Sequence, residues 1–260
     1  HFSGFPYKSI EECLKIANVK DENITDIAFN TKPLSNFIPK SIFTIKNFKI
    51  SKKYSVERYK KKFKNRYNLF KKFNFKKNLK IHYIEHHLAH VASAYYPSNF
   101  NDAIGLSIDG SGDFVTLALS ECKNQKIKIK KKIFFPNSLG IFYHAMTQFL
   151  GFKNYGDEYK IMGMAAYGKP IYFDKIKDNL FMIDEQKYFK LNLKYFKHQK
   201  PDFKYIADDN LIIDNIFNEN LTELFKFEKK NSSDINFFNK NFACSVQKVY
   251  EYFFKIILKD

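Results

Sequence analysis

The run Ala103-Ile104-Gly105-Leu106-Ser107-Ile108 is a continuous apolar stretch that stops abruptly at Asp109-Gly110-Ser111-Gly112. A run so short, closed by turn-forming residues, reads as a strand. Asp113 to Ser120 alternates well enough to be its hairpin partner, and Lys126 to Phe135 supplies a third strand. Upstream, Lys80 to Ile84 is a further strand that runs straight into Glu85-His86-His87-Leu88-Ala89-His90. There Val91, Ala92, Ala94 and Tyr95 keep helical spacing to a stop at Pro97, so the histidines sit on the first turns of a helix.

The flanks are less constrained. Ile10, Cys13, Leu14 and Ala17 mark an amphipathic helix within Pro6 to Val19, and Ile24 to Phe29 reads as a short buried strand. Asn137-Ser138-Leu139-Gly140 starts a helix over Ile141 to Leu150; a second short helix spans Gly156 to Tyr167 and is closed by Gly168 and Pro170. Beyond Pro170 the pattern weakens until a long helix, Asn236 to Leu258, places Phe242, Val246, Val249 and Phe253 on one face. Residues 49–80 are rich in Lys and Arg interleaved with Tyr and Phe, and predict a basic helical segment with one aromatic stripe. The net charge is +17; the polar content leans to Lys and Asn, whose codons, like those of the 30 Phe and 17 Tyr, are AT-rich, so codon bias accounts for much of the basicity. Cys13, Cys122 and Cys244 form no C-x-x-C pair, which points to a reducing cytoplasm and gives no disulfide framework or cysteine zinc site. No membrane helix and no signal peptide are expected. With no repeat or Gly/Ser linker, and a start at His1 without an initiator Met, residues 1–260 read as one domain or an incomplete one.

His86 and His90 are four apart on the predicted helix, so both imidazoles leave one face and can reach one metal ion. Asp109, at the carboxyl end of the next strand, is the third candidate ligand, and two His with one carboxylate suit Fe(II) or another divalent metal. The alternative is a helix start with surface histidines. His87 stands where a zinc protease of the H-E-x-x-H type needs Glu, so that chemistry is not supported. In Asp109-Gly110-Ser111-Gly112 the glycines would let backbone N–H groups approach a phosphate; the same residues also suit a plain hairpin turn.

Three pieces in order are His86-His87-Leu88-Ala89-His90-Val91-Ala92-Ser93-Ala94-Tyr95-Tyr96-Pro97-Ser98, then Ile108-Asp109-Gly110-Ser111-Gly112-Asp113, then Phe135-Pro136-Asn137-Ser138-Leu139-Gly140 with Gly151-Phe152 and the stretch Asp157 to Gly168. Together they resemble the signature of the NodU/CmcH-type O-carbamoyltransferases. The resemblance implies an α/β fold of the actin-like, sugar-kinase-like ATPase type, with a mixed sheet flanked by helices. It implies an iron-type divalent metal on His86, His90 and Asp109, and nucleotide phosphates along Gly110, Ser111 and Gly112. His87, Glu158 and Lys160 fall in family motifs without an assigned role, whereas Met162, Met164, Ala165 and Tyr167 read as packing residues. ATP and carbamoyl phosphate would form a carbamoyl-adenylate, whose carbamoyl group passes to a hydroxyl of a sugar or other small molecule.

Full-length members of that family also carry an N-terminal strand with a catalytic His loop, a glycine-rich segment with a second metal-binding Asp, and a separate adenylate-forming domain. None of these is expected between His1 and Asp260, so the actin-like domain is expected to be incomplete. Two alternatives come from other classes: a relative of the tRNA threonylcarbamoyladenosine enzymes, which share the paired His, and a non-catalytic nucleic-acid-binding module built on residues 49–80. Nucleic acid is not the expected partner, since Lys and aromatic enrichment runs through the whole chain.

Overall fold

In the computed structural model, residues 6–46, 67–154, 156–184, 188–200, 205–207, 211–231 and 235–259 are described. Their order begins with α1 (Tyr7–Ile16), β1 (Asp26–Phe29), α2 (Phe37–Lys46), β2 (Lys80–Tyr83) and α3 (His86–Tyr95). A three-stranded meander follows, β3 (Asp102–Gly112), β4 (Val115–Lys123) and β5 (Lys126–Phe134), then α4 (Leu139–Phe149), α5 (Glu158–Ala165) and α6 (Phe173–Leu180). The hairpin β6 (Phe181–Asp184) and β7 (Tyr188–Leu191) precedes the long helix α7 (Ile235–Leu258), with shorter elements between them.

The sheet β3-β4-β5 is antiparallel with β4 in the middle, and both of its faces are covered. On one face α3 packs Val91 and Tyr95 against Cys122, Ala103 and Ile127. On the other, Leu106, Ile108, Leu117 and Ile133 meet Leu139 and Phe142 of α4 in the main core. That core is aromatic: Phe181 lies 4.3 Å from Phe253 and 4.8 Å from Phe142 between ring centroids, and Phe225 lies 5.0 Å from Phe242. The face of α7 that the sequence marked, Phe242, Val246, Val249 and Phe253, is fully buried there. Each such side chain contributes roughly 1.5–3 kcal/mol by leaving water.

Four expectations change. The strands do not join into one mixed sheet among the described residues; β1 and β2 pair only with each other, in parallel, from Asp26↔Lys80 to Phe29↔Tyr83. Second, β1 is not a buried strand, because none of the residues of α1, β1, α2 or β2 is buried. Third, the D-G-S-G sequence is not the hairpin turn: β3 runs through it, with an irregular register between Ile108 and Gly112. The turn is Asp113-Phe114, whose φ values of 51° and 76° are the left-handed pair of a two-residue hairpin loop. Fourth, of the four expected packing residues in and just after α5 only Ala165 is buried; Met164 is half-buried, and Met162 and Tyr167 are exposed.

The basic segment 49–80 falls largely outside the described residues; within it, residues 67–72 are helical, and Leu69 and Phe73 are buried while Tyr67 and Phe70 are exposed. No helix among the described residues is long and apolar enough to cross a membrane.

Candidate metal centre

Three elements bring the centre together. The helix α3 presents His86 and His90 one turn apart, β3 presents Asp109 at its bulged end, and the start of α4 backs that strand. His86 Nε2 lies 2.8 Å from Asp109 Oδ2, His90 Nε2 lies 3.0 Å from His86 Nε2, and His90 Nε2 lies 3.7 Å from Asp109 Oδ2. Imidazole and carboxylate ligands bind first-row divalent ions at about 2.0–2.2 Å. A triangle of these edges is small enough for all three atoms to reach one ion on one side of it. Two imidazole nitrogens 3.0 Å apart, with a carboxylate beside them, need a cation or a proton between them. The donor set therefore fits a divalent metal, and His86, His90 and Asp109 form the one cluster of three such ligand groups among the described residues.

The electrostatics agree. The His86 bond holds Asp109 down at about 2, helped by the Gly110 N–H 2.6 Å from Oδ1 and against the effect of burial. The same bond raises His86 above the usual imidazole range. Asp109 is thus a carboxylate at any physiological pH. The Asn30 backbone adds a smaller push on His86 in the same direction as Asp109.

His87 is not a ligand. It is wholly buried, with Nδ1 2.8 Å from Ser107 Oγ and Nε2 2.9 Å from the Val115 carbonyl, so it pins α3 to both β3 and β4. The carbonyl only accepts, so Nε2 carries the proton and Nδ1 receives the Ser107 hydroxyl. Burial pushes this imidazole below its ordinary range, which keeps it neutral beside the two outer histidines.

Each residue of the D-G-S-G stretch has its own surroundings. The Gly110 N–H is taken by Asp109, Ser111 is exposed, and Gly112 is buried under the His86 ring. A Cβ on Gly112 would lie 1.9 Å from His86 Cδ2. Ser138, which the sequence marked only as a helix start, caps α4 by accepting from the Ile141 N–H and donates its hydroxyl to the Asp109 carbonyl, both at 3.0 Å. Gly140 packs on the same peptide, since its Cβ would come within 2.8 Å of Asp109 C and Gly110 N.

Glu158 and Lys160 are not in the triad. Glu158 bonds the buried His144 of α4, and Lys160 pairs with Asp157 at 2.7 Å and lies over the Phe152 ring at 5.5 Å. Both contacts anchor the start of α5. The His144 pairing was not legible from spacing, because its two members lie on separate helices.

A family model described as "Carbamoyltransferase N-terminus" matches residues 4–258. The uncharacterized protein sll1178 of Synechocystis is 43% identical over 114 residues, covering 44% of this chain and 18% of that protein. Nodulation protein NolNO of Sinorhizobium fredii is 30% identical over 172 residues, 65% of this chain and 24% of the relative. Nodulation protein NolO of Bradyrhizobium diazoefficiens is 38% identical over 89 residues, 34% of this chain and 16% of the relative. The matched stretches thus span about a quarter or less of each relative's length.

Proposed function

The chain belongs to the carbamoyltransferase N-terminus family, and on that premise we propose that it is the metal-holding part of an O-carbamoyltransferase working in the cytoplasm. The reaction class is transfer of a carbamoyl group from carbamoyl phosphate, through an ATP-derived carbamoyl-adenylate, to a hydroxyl of a small molecule, with the described elements belonging to an actin-like ATPase fold. The observation that carries the reading is the convergence of His86, His90 and Asp109 on one point.

His86 and His90 would hold a divalent metal, with Fe(II) as first candidate, through Nε2, and Asp109 through its outward oxygen. When bound, such a metal supplies a fixed positive charge beside phosphate and carbonyl oxygens. The chain's own residues set the rest. Asp109 stays ionised and gives up no proton in the working range. His87 and Ser107 lock α3 on the sheet, so the two ligand imidazoles keep their spacing. Ser111, exposed beside the triad, is the residue of the D-G-S-G stretch best placed to meet a nucleotide phosphate, because the Gly110 amide is engaged and Gly112 is covered.

The test is metal analysis of the anaerobically purified chain against the His86→Ala/His90→Ala double variant. Near-stoichiometric iron, lost in the variant with the melting curve preserved, is the expected result. Equal metal content in both proteins would refute the assignment.

A further inference from the structure

We propose that Asp113 is a positioning residue of the metal centre: its Oδ2 accepts the backbone N–H groups of His86 and Lys32 and so holds the His86 ring in register with Asp109 and His90. This rests on the metal reading above. The two bonds are 3.1 Å to His86 N and 2.7 Å to Lys32 N, and they reach across 27 and 81 residues of sequence. His86 is the first residue of α3, where N–H groups have no partner within the helix, and the preceding Glu85 makes no side-chain cap. Asp113 supplies that cap from the hairpin tip, with its negative charge at the positive end of the helix.

The second bond gives the first its meaning for the centre. Lys32 belongs to the loop that follows β1. One oxygen therefore ties the backbone of His86 to that loop. The Asp113 carbonyl adds a third tie by accepting from Asn36 Nδ2 at 3.1 Å. An independent stitch holds the same loop: Lys132 Nζ donates to Asn36 Oδ1 at 3.0 Å and pairs with Glu85 Oε2 at 3.2 Å. Removing the Asp113 side chain should consequently loosen the ring while the loop stays attached.

The φ of 51° at Asp113 chooses the variants. Glycine and asparagine both accept the left-handed region, so Asp113→Gly removes the acceptor without backbone strain and Asp113→Asn keeps an oxygen in place. The experiment is a cobalt(II) titration followed by the metal's visible absorption, with a melting curve for each protein. Outer-shell partners of metal-binding histidines are worth about 10–100-fold in affinity. Asp113→Gly should lose that much and show an altered cobalt spectrum at a melting temperature close to that of the unaltered chain, whereas Asp113→Asn should bind within a few-fold of it. Unchanged binding and spectrum in Asp113→Gly overturn the proposal, and so does an equal loss in both variants, which would make charge, and not the acceptor's position, the cause. Should Asp113→Gly fail to fold, Asp113→Ser, too short to span both amides, takes its place with the same expectations. Failure of the unaltered chain to bind cobalt overturns the metal reading itself, a result distinct from the other two.

Discussion

Replacing Gly112 by alanine should disable the centre without touching a ligand. The added methyl would sit 1.9 Å from His86 Cδ2, 2.1 Å from Cγ and 2.6 Å from Nε2. Non-bonded carbons settle at about 3.5–4.0 Å, so the ring must retreat by roughly 1.5 Å or more. A metal–imidazole bond is about 2.0–2.1 Å long, and a displacement of that size removes His86 from coordination. The loss should be at least the 10–100-fold of a disturbed outer shell and approach that of His86→Ala. Overpacking of this kind costs about 1–3 kcal/mol, which the fold can absorb if the ring swings outward toward solvent. Gly110→Ala is the matched control: a Cβ there meets nothing within 4 Å, so metal affinity should hold. Isothermal titration with cobalt(II), alongside thermal melts of both variants, reads the contrast. If Gly112→Ala binds as tightly as Gly110→Ala, the close approach of His86 to β3 does not set the centre, and the geometric case for the triad fails with it.

Two further outcomes follow from buried contacts elsewhere. His198 donates Nε2–H to the Pro136 carbonyl at 2.9 Å between the rings of Phe135 and Phe196, and burial pushes it down to about 4. The unfolded chain takes up a proton below about pH 6.5 while the folded ring stays neutral, so stability present above that pH is lost as pH falls toward 4. The loss should reach roughly 1–3 kcal/mol, read as a pH-dependent gap in melting temperature against His198→Phe; a gap independent of pH refutes it. Gly168 abuts the α7 backbone, where a Cβ would lie 2.0 Å from the Lys240 carbonyl oxygen. Gly168→Ala should therefore cost about 1–3 kcal/mol or more, whereas Gly163→Ala, facing open space, should gain a few tenths to 1 kcal/mol of helix propensity. Urea midpoints that move equally for both would contradict the packing.

What the sequence made legible is what short-range rules encode. Ser138 and Pro97 bounded their helices, the four-residue spacing of His86 and His90 put both on one face, and the apolar face of α7 is buried as its period required. The hairpin was misplaced because Gly110 and Gly112 imitate turn residues, while the actual turn uses Asp113 and a phenylalanine in the left-handed region, which no local preference foretells. Past Pro170, α6 and the β6–β7 hairpin were missed, since Phe and Tyr occur so densely that neither a 3.6-residue nor a 2-residue period stands out. Bonds such as Asp113 to Lys32 or His144 to Glu158 join residues that only the tertiary fold makes neighbours.

The glycines show why the centre forms where it does. At Gly105 a Cβ would come within 2.5 Å of Val91, the residue after His90, so α3 lies directly on β3 beside the ligand histidines. At Gly112 the same helix drops His86 onto the strand, and at Gly140 the start of α4 closes on the Asp109 peptide from the opposite face. Two helices thus close on one strand at three glycines, and Asp109 lies between Gly105 and Gly112, with its carbonyl held by Ser138 and its carboxylate turned to the imidazoles. A strand clamped from both faces cannot shift to follow a displaced ligand, because its backbone already fills the space on either side. The centre should therefore tolerate changes at exposed Ser111 and fail at buried Gly112, although both belong to one short motif.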